Sequence, residues 1–391
     1  MLISLKTQFY VFVICMFGSE VYGVCRRTKC VDSETELSVH PSYTSLLRLA
    51  DLSNDSFKGK NILDSSRHLS YTLPMMSKSN EPKTLQEAIV YFANPDNCIL
   101  YLVARRWPDG VTCPTCGSDN VGFIASRRVW QCRTRHSQAQ FSVKVGTIFE
   151  DSPIGLDKWL CAMWMLSNCK NGISSWEIHR ALNITQKSAW FMLHRIRLAL
   201  QDDHSAKLSG SVEVDETFIG GKARNMHRSV RARRIKGTGG SGKVAVMGLL
   251  ERHGEVRATV VPNVRRQALH SEVNNRVEQG ATVYSDALRS YDRLEEEYTH
   301  HVINHAEKYV DGHIHTNGIE NFWSLLKRGL NGTYVSVEPF HLFRYLDEQV
   351  FRFNNRKAND SERFHFAVSR IFGKRLTYAE LIGKEDKKQS H

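Results

Sequence analysis

The chain has 391 residues, too many for one ordinary core, and two or three domains are expected. Its composition is 41% hydrophobic and 10% aromatic, which excludes a largely disordered protein. A formal net charge of +12 favours a polyanionic partner, nucleic acid or an acidic membrane surface, although a basic protein with neither is also compatible with charge alone.

The first residues, "MLISLKTQFYVFVICMFGSEVYG", carry a lysine and then an apolar run from Phe9 to Phe17, the pattern of a secretory signal. A misassigned start or an unrelated upstream segment would look the same, and the segment is read here as misleading. Residues 25–80 are polar, Ser-rich and weakly periodic, so 1–83 is expected to be a poorly ordered extension. The nine cysteines have no regular spacing, which excludes a disulfide framework, and no stretch of eighteen apolar residues exists, so no spanning helix is expected.

From Thr84 the sequence becomes dense and periodic. Leu85, Ile89 and Phe92 share one helical face, and a second short helix follows before residue 110. Cys113 and Cys116 then form a C-x2-C knuckle, with Cys132 and His136 beyond a hairpin-like "VGFIASRRVWQ". Two closely spaced pairs of soft or imidazole ligands, brought together by a hairpin, are what tetrahedral Zn2+ needs. Where a second C-x2-C knuckle would place a thiol stands Arg135, which leaves His136 as the fourth ligand and 84–150 as a zinc ribbon with flanking helices.

Residues 154–201 read as three helices. Trp159, Leu160, Met163, Trp164 and Leu166 give the first its core stripe. Ser174 and Glu177 form a capping box for the second, and Thr185 caps the third after the tight turn "NIT". The third helix should bury Ala189, Leu193, Ile196 and Leu200 and expose Gln186, Lys187, His194, Arg195 and Arg197 to phosphates and base edges. This is the helix-turn-helix pattern, assigned to 151–205, although a plain helical bundle with a basic face would read the same. Of four glycosylation sequons, Asn54, Asn183, Asn331 and Asn359, the second falls in that turn, so the matches are treated as chance.

Past Gln201 the period becomes strand-like: "GSVEVDETFIGG", "KVAVMGLLERHG", "EVRATVVPN" and "ATVYSDA", with a basic Gly-rich loop between the first two. A helix over "RRQALHSEVNNRV" and a fifth strand at "HHVINHA" complete an α/β core at 206–360, a mixed sheet with flanking helices, followed by a tail at 361–391. In the first strand Glu213 and Asp215 take one face and Val212 and Val214 the other, with Asp215 at the strand end. Val283 should point inward from the fourth strand, and Asp286 ends it, either as a ligand-facing carboxylate or as a helix N-cap. In "HTNGIENFWSLLKRGLNG", Ile319, Phe322, Trp323 and Leu326 form a core stripe. Glu320 and Lys327 share the opposite side about 10.5 Å apart along the axis, although Asn317 and Glu320 also fit a capping box.

With "CPTCGS", "GTIFEDS", "CKNGISSWEIHRAL", "TQKSAWFMLHRIR", "VEVDETFIGGK", "VYSDA", "HTNGIENFWSLLKRG" and "FRFNNR" in place, residues 84–356 resemble the DDE transposases of bacterial insertion sequences with an N-terminal zinc ribbon, and the eukaryotic Merlin elements. The resemblance implies a ribonuclease H-like catalytic core and double-stranded DNA as substrate. It implies Asp215 and Asp286 as ligands of two Mg2+ or Mn2+ ions, and a third residue that is Glu or Asn. Glu320, backed by the basic Lys327, is chosen over the neighbouring Asn317 and Asn321. Cleavage at element ends, strand transfer, action as a homo-oligomer on DNA, and residence with DNA (nucleus or nucleoid) follow as expectations. The alternative is a non-catalytic DNA-binding descendant of such an enzyme.

Overall fold

The computed structural model describes residues 81–202, 206–221, 223–235, 237, 240–286, 288–303 and 315–384. The expected N-terminal extension before residue 81 lies outside them. The described chain opens with α1 (Leu85–Phe92), capped by the Thr84 side chain, and α2 (Pro95–Arg106), which starts on proline. A small antiparallel sheet follows, β1 (Val121–Ile124), β2 (Val129–Cys132) and β3 (Gln140–Phe141). Next come α3 (Leu156–Asn168), α4 (Ser175–Leu182) with its Ser174–Glu177 capping box, and α5 (Gln186–Leu200) capped by Thr185. Asn183 closes α4 in the left-handed region at φ 48°, a conformation asparagine tolerates better than most residues.

The second half contains β4 (Ser211–Ile219), the short basic α6 (Arg228–Arg234), β5 (Val244–Glu251), β6 (Val256–Val261), α7 (Arg266–Arg276), β7 (Thr282–Asp286), β8 (Thr299–Ile303), α8 (Asn317–Arg328), α9 (Leu342–Asn354), α10 (Asp360–Ser369) and α11 (Tyr378–Leu381). The five strands of this half form one mixed sheet in the order β6-β5-β4-β7-β8. β4, β5 and β6 meander antiparallel, whereas β7 runs parallel to β4 and β8 parallel to β7. Strand alternation divides the sheet's two faces. Val212, Val214, Met247, Leu249 and Val283 pack with Leu269 and Val273 of α7 on one side. Val246, Leu250 and Val256 pack with Ile319, Phe322 and Trp323 of α8 and with α9 on the other.

Two expectations are corrected. β4 continues to Ile219, so Asp215 lies at mid-strand and not at its end. Residues 361–384 of the expected tail are packed against the rest of the chain. Phe364, Ala367 and Val368 of α10, together with Ile371, belong to the same core as α1, α2, the ribbon and α3–α5. Phe364 is fully buried against Phe92, Tyr101 and Trp164, with ring centroids 4.9–5.8 Å apart. The Ile148 and Gly373 N–H groups donate to the Ile371 and Gly146 carbonyls, tying this segment to the loop ahead of α3. The ribbon and the three-helix region therefore share one continuous core that residues beyond 360 complete. The capping box at Asn359 and Glu362 and the apolar spacing after it were the available signals.

Truncating Phe364 to alanine should cost about 3–5 kcal/mol of stability, as expected for a fully buried phenylalanine. Urea unfolding measures this, and a loss below about 1 kcal/mol would mean that α10 is not part of the core.

Candidate metal and catalytic sites

The ribbon hairpin brings four ligand atoms together. The donor atoms of Cys113, Cys116, Cys132 and His136 all lie within 4.8 Å of one another. Cys113 Sγ is 3.4 Å from His136 Nε2, and Cys116 Sγ is 3.6 Å from Cys132 Sγ. Two thiolates at 2.3 Å from a tetrahedral ion stand about 3.8 Å apart, so the quartet fits zinc. Gly117, at φ 74°, makes the knuckle turn that a side chain would strain, and its N–H donates to the Cys113 carbonyl. Burial resists ionisation of the Cys113 thiol, but backbone N–H groups of Cys116 and Thr115 outweigh it and bring the group down to about 6. By contrast, burial pushes Cys98 up to about 12 and Cys161 to about 11, so these stay protonated core thiols.

The second site lies on the α8 side of the large sheet. Glu213 is 1% exposed and holds the N-terminus of α8. Its carboxylate accepts from the Ile319 N–H at 3.0 Å and from Arg252 Nε at 3.0 Å, and it lies 3.4 Å from His315 Nδ1. Gly318 permits this seat, since a Cβ there would stand 2.8 Å from Glu213 Oε2 and 2.5 Å from Leu250 Cδ2. One strand over, Gly248, the cross-strand partner of Asp215, leaves room for the Trp323 indole, which a Cβ would approach to 2.6 Å. The indole N–H donates to Asp215 Oδ2 at 3.0 Å, while Asp215 Oδ1 accepts from the Glu216 N–H at 2.8 Å.

Asp286 ends β7 as expected, and its Oδ1 accepts from the Leu288 N–H at 3.2 Å. Asp286 is thus a strand-end carboxylate whose side chain braces the following turn, while the N-cap position of the short helical turn at Arg289–Tyr291 is Leu288. Glu320 sits in the first turns of α8, exposed, with Thr316 Oγ1 donating to it at 3.3 Å. The capping box expected at Asn317 does not form. Thr316 occupies the N-cap position without a side-chain cap bond, and Asn317 is the first helical residue. Lys327 is exposed in the last turn of the same helix, and Asn317 and Asn321 are also exposed.

The three carboxylates come from β4, β7 and α8, and Asp215 feels the charges of the other two. Burial, followed by the charges of Asp286 and Glu320, raises Asp215 to about 6 against the hydrogen bonds from Glu216 N–H and Trp323. Glu216, which the sequence reading passed over, is pushed to about 8 by burial and by the charges of Asp286 and Asp215, and it accepts a hydrogen bond from the Tyr291 hydroxyl. Its signal was direct adjacency to Asp215 in "VEVDETF". Among the described residues, only the ribbon quartet gathers three or more His, Cys, Asp or Glu ligands tightly enough to be an assembled ion site. Like charge opposes closer approach of the carboxylates, and a divalent cation would remove that opposition.

The expected DNA-reading face of α5 is corrected in three positions. His194, Arg195 and Arg197 are 0%, 5% and 1% exposed. His194 packs against Trp190, His341 and Tyr345. Arg195 donates to the carbonyls of Leu376, Ile148 and Glu150, and Arg197 pairs with Glu348 of α9 at 2.6 Å. Helix α5 is enclosed on most sides by α4, α9 and α11, so its polar residues serve packing. Gln186, half-buried and bonded to Ser175 Oγ, and exposed Lys187, 4.6 Å from the Tyr378 ring, remain near the surface. No helix among the described residues is long and apolar enough to cross a membrane.

Residues 207–354 match the ISXO2-like transposase domain, and residues 93–136 match the transposase zinc-ribbon domain. The chain is 30% identical over 276 residues to an uncharacterized protein in transposable element ISH50 of Halobacterium salinarum, covering 66% of this chain and 92% of that one. It is also 38% identical over 102 residues to an uncharacterized transposase-like protein of Haemophilus influenzae, covering 26% of this chain and 82% of that protein. The chain belongs to the ISXO2-like transposase family.

Purified under reducing conditions, the full chain should carry one zinc, and His136→Ala should weaken its retention against a chelator. Less than about half an equivalent would overturn the ribbon site, and unchanged retention in the variant would remove His136 from it.

Glu216 has a folded-state pKa above its unfolded one. Its contribution is thus fully present below about 4.5 and is lost as pH rises through about 8. In protein freed of divalent ions, Glu216→Gln should therefore gain in melting temperature relative to wild type as pH rises from about 5 to about 8. A difference independent of pH would show that Glu216 is not strained by its neighbours.

Proposed function

We propose that this transposase cuts and joins DNA through metal-dependent phosphodiester chemistry at Asp215, Asp286 and Glu320. The observation that carries the reading is that Asp215, half-buried on β4, is hydrogen-bonded to Trp323 of α8 and feels the charges of Asp286 from β7 and Glu320 from α8. The five-stranded mixed sheet, a meander followed by two parallel strands, supports a ribonuclease H-like core. The chemistry of the donor set fits hard divalent cations, which take carboxylate oxygens, and Asp215, Asp286 and Glu320 would hold Mg2+ or Mn2+. When bound, such ions offset the charge of the phosphodiester, activate the attacking oxygen and stabilise the leaving one.

The protein's own part is to hold the carboxylates and the DNA. Glu213 and Arg252 fix α8 to β4, Trp323 orients Asp215, and Thr316 orients Glu320. The exposed arginines Arg228, Arg231 and Arg233 beside β4, and Lys327 on α8, supply positive charge for the DNA backbone. Water as nucleophile would free a 3′-hydroxyl at an element end, and that hydroxyl would attack target DNA. Joining two ends implies a homo-oligomer assembled on DNA. Contact of Gln186 and Lys187 with DNA belongs to the helix-turn-helix reading of α4 and α5.

Asp215→Asn and Glu320→Gln should each lower cleavage of the element's own ends on the order of a thousandfold while sparing DNA binding and fold. Near-normal cleavage by Glu320→Gln would transfer the third position to Asn317 or Asn321. A wild-type protein that binds the ends but cleaves nothing with Mg2+ or Mn2+ would favour the non-catalytic alternative.

A further inference from the structure

A cleft of about 500 Å3 opens where the first turns of α4 and α5 face the segment after α8. That volume lies within the rough 300–1,000 Å3 range of small-molecule pockets. Four aromatic residues line it, Trp176, Trp190, Tyr334 and Tyr345. Trp176 is 57% exposed, an unusual position for the largest apolar side chain. The floor is Arg197, the residue that was expected to read DNA from the surface.

The Arg197 guanidinium lies 4.0 Å from the Tyr345 ring centroid and 5.1 Å from that of Tyr334. Its Nε is taken by Glu348, but one terminal nitrogen is buried without a hydrogen-bond partner. Glu348 is shared with Arg352 and with the Tyr334 hydroxyl, so two guanidiniums face one carboxylate and a positive charge is left over. A buried donor without a partner is costly, and a ligand that brings an acceptor to it recovers that cost. The rim adds short polar groups, Ser174, Ser175 and Thr333.

The occupant must be flat, stack between indole and phenol rings, and present a hydrogen-bond acceptor to a cation at the far end. We propose that this cleft takes a single unstacked nucleotide of the DNA, its base lying against Trp176 and its acceptor edge meeting Arg197. Guanine, with O6 and N7 side by side, matches a guanidinium best. A base inside a duplex is stacked on both faces and cannot reach a floor residue of which only 1% is exposed. An extrahelical base can, and enzymes that act on DNA recognise such bases by stacking and edge contacts. This inference rests on the transposase reading, because it takes DNA as the partner.

The test measures binding of the zinc-loaded full chain to a plain duplex and to the same duplex carrying one unpaired guanine. Supplying the base already unpaired removes the cost of extruding it. The wild type should prefer the bulged duplex by roughly 5- to 150-fold, the span of one base–aromatic stack. Trp176→Ala should bring that ratio close to one, and Trp176→Phe should restore most of it, with circular dichroism and zinc content confirming the fold of each. Equal binding of both duplexes by the wild type overturns the cleft and leaves the transposase reading standing. Failure to bind either duplex overturns both. A ratio that survives in Trp176→Ala, or a change confined to self-association, places the unpaired base elsewhere and overturns the assignment.

Discussion

One buried carboxylate holds the second half of the molecule in register. Glu213 receives the otherwise unpaired first-turn N–H of Ile319 in α8 and the Arg252 guanidinium, and it lies beside His315. A negative group at a helix N-terminus is favourable, and burial strengthens the attraction. The consequence is geometric. With α8 pinned to β4 at Glu213, the next inward-facing residue on the strand, Asp215, meets Trp323 one turn along the helix, and Glu320 emerges on the flank between them. Gly318 and Gly248 mark the two places where helix and sheet approach too closely for a side chain.

Charge is distributed in opposition to the net balance. The chain carries an excess of positive groups, yet Asp215 and Glu216 are half-buried within reach of other acidic charges, and both are held above their ordinary range. Other buried charges meet opposite ones: Arg197 and Arg352 face Glu348, and Arg252 faces Glu213. A folded protein leaves acidic groups uncompensated at a cost, and such strain is concentrated at functional sites.

Much of this was legible in the sequence. The knuckle spacing gave the zinc quartet, the alternation in "VEVDETF" separated the two faces of β4, and capping boxes marked α4 correctly. What failed depended on distant partners. Polarity placed His194, Arg195 and Arg197 on the surface because helical periodicity sees only its own helix. The carboxylate that neutralises Arg197 lies 151 residues away in α9. The capping box assigned to Asn317 failed because the preceding threonine, with its own carbonyl accepting from Glu320, starts the helix one residue earlier than the motif requires. Asp215 was placed at a strand end because the Thr217–Ile219 run, partnered by Val244–Val246 of β5, reads locally as a turn approaching two glycines.

The route by which α10 returns to the N-terminal half sets an order on synthesis. Phe364 and Ile371 close a core whose other walls, α1 through α5, leave the ribosome more than 150 residues earlier. The ribbon and helices α3–α5 thus wait, incompletely walled, for the sheet to be made. A reading frame broken anywhere in the second half would then yield a chain whose N-terminal core lacks its closing helix.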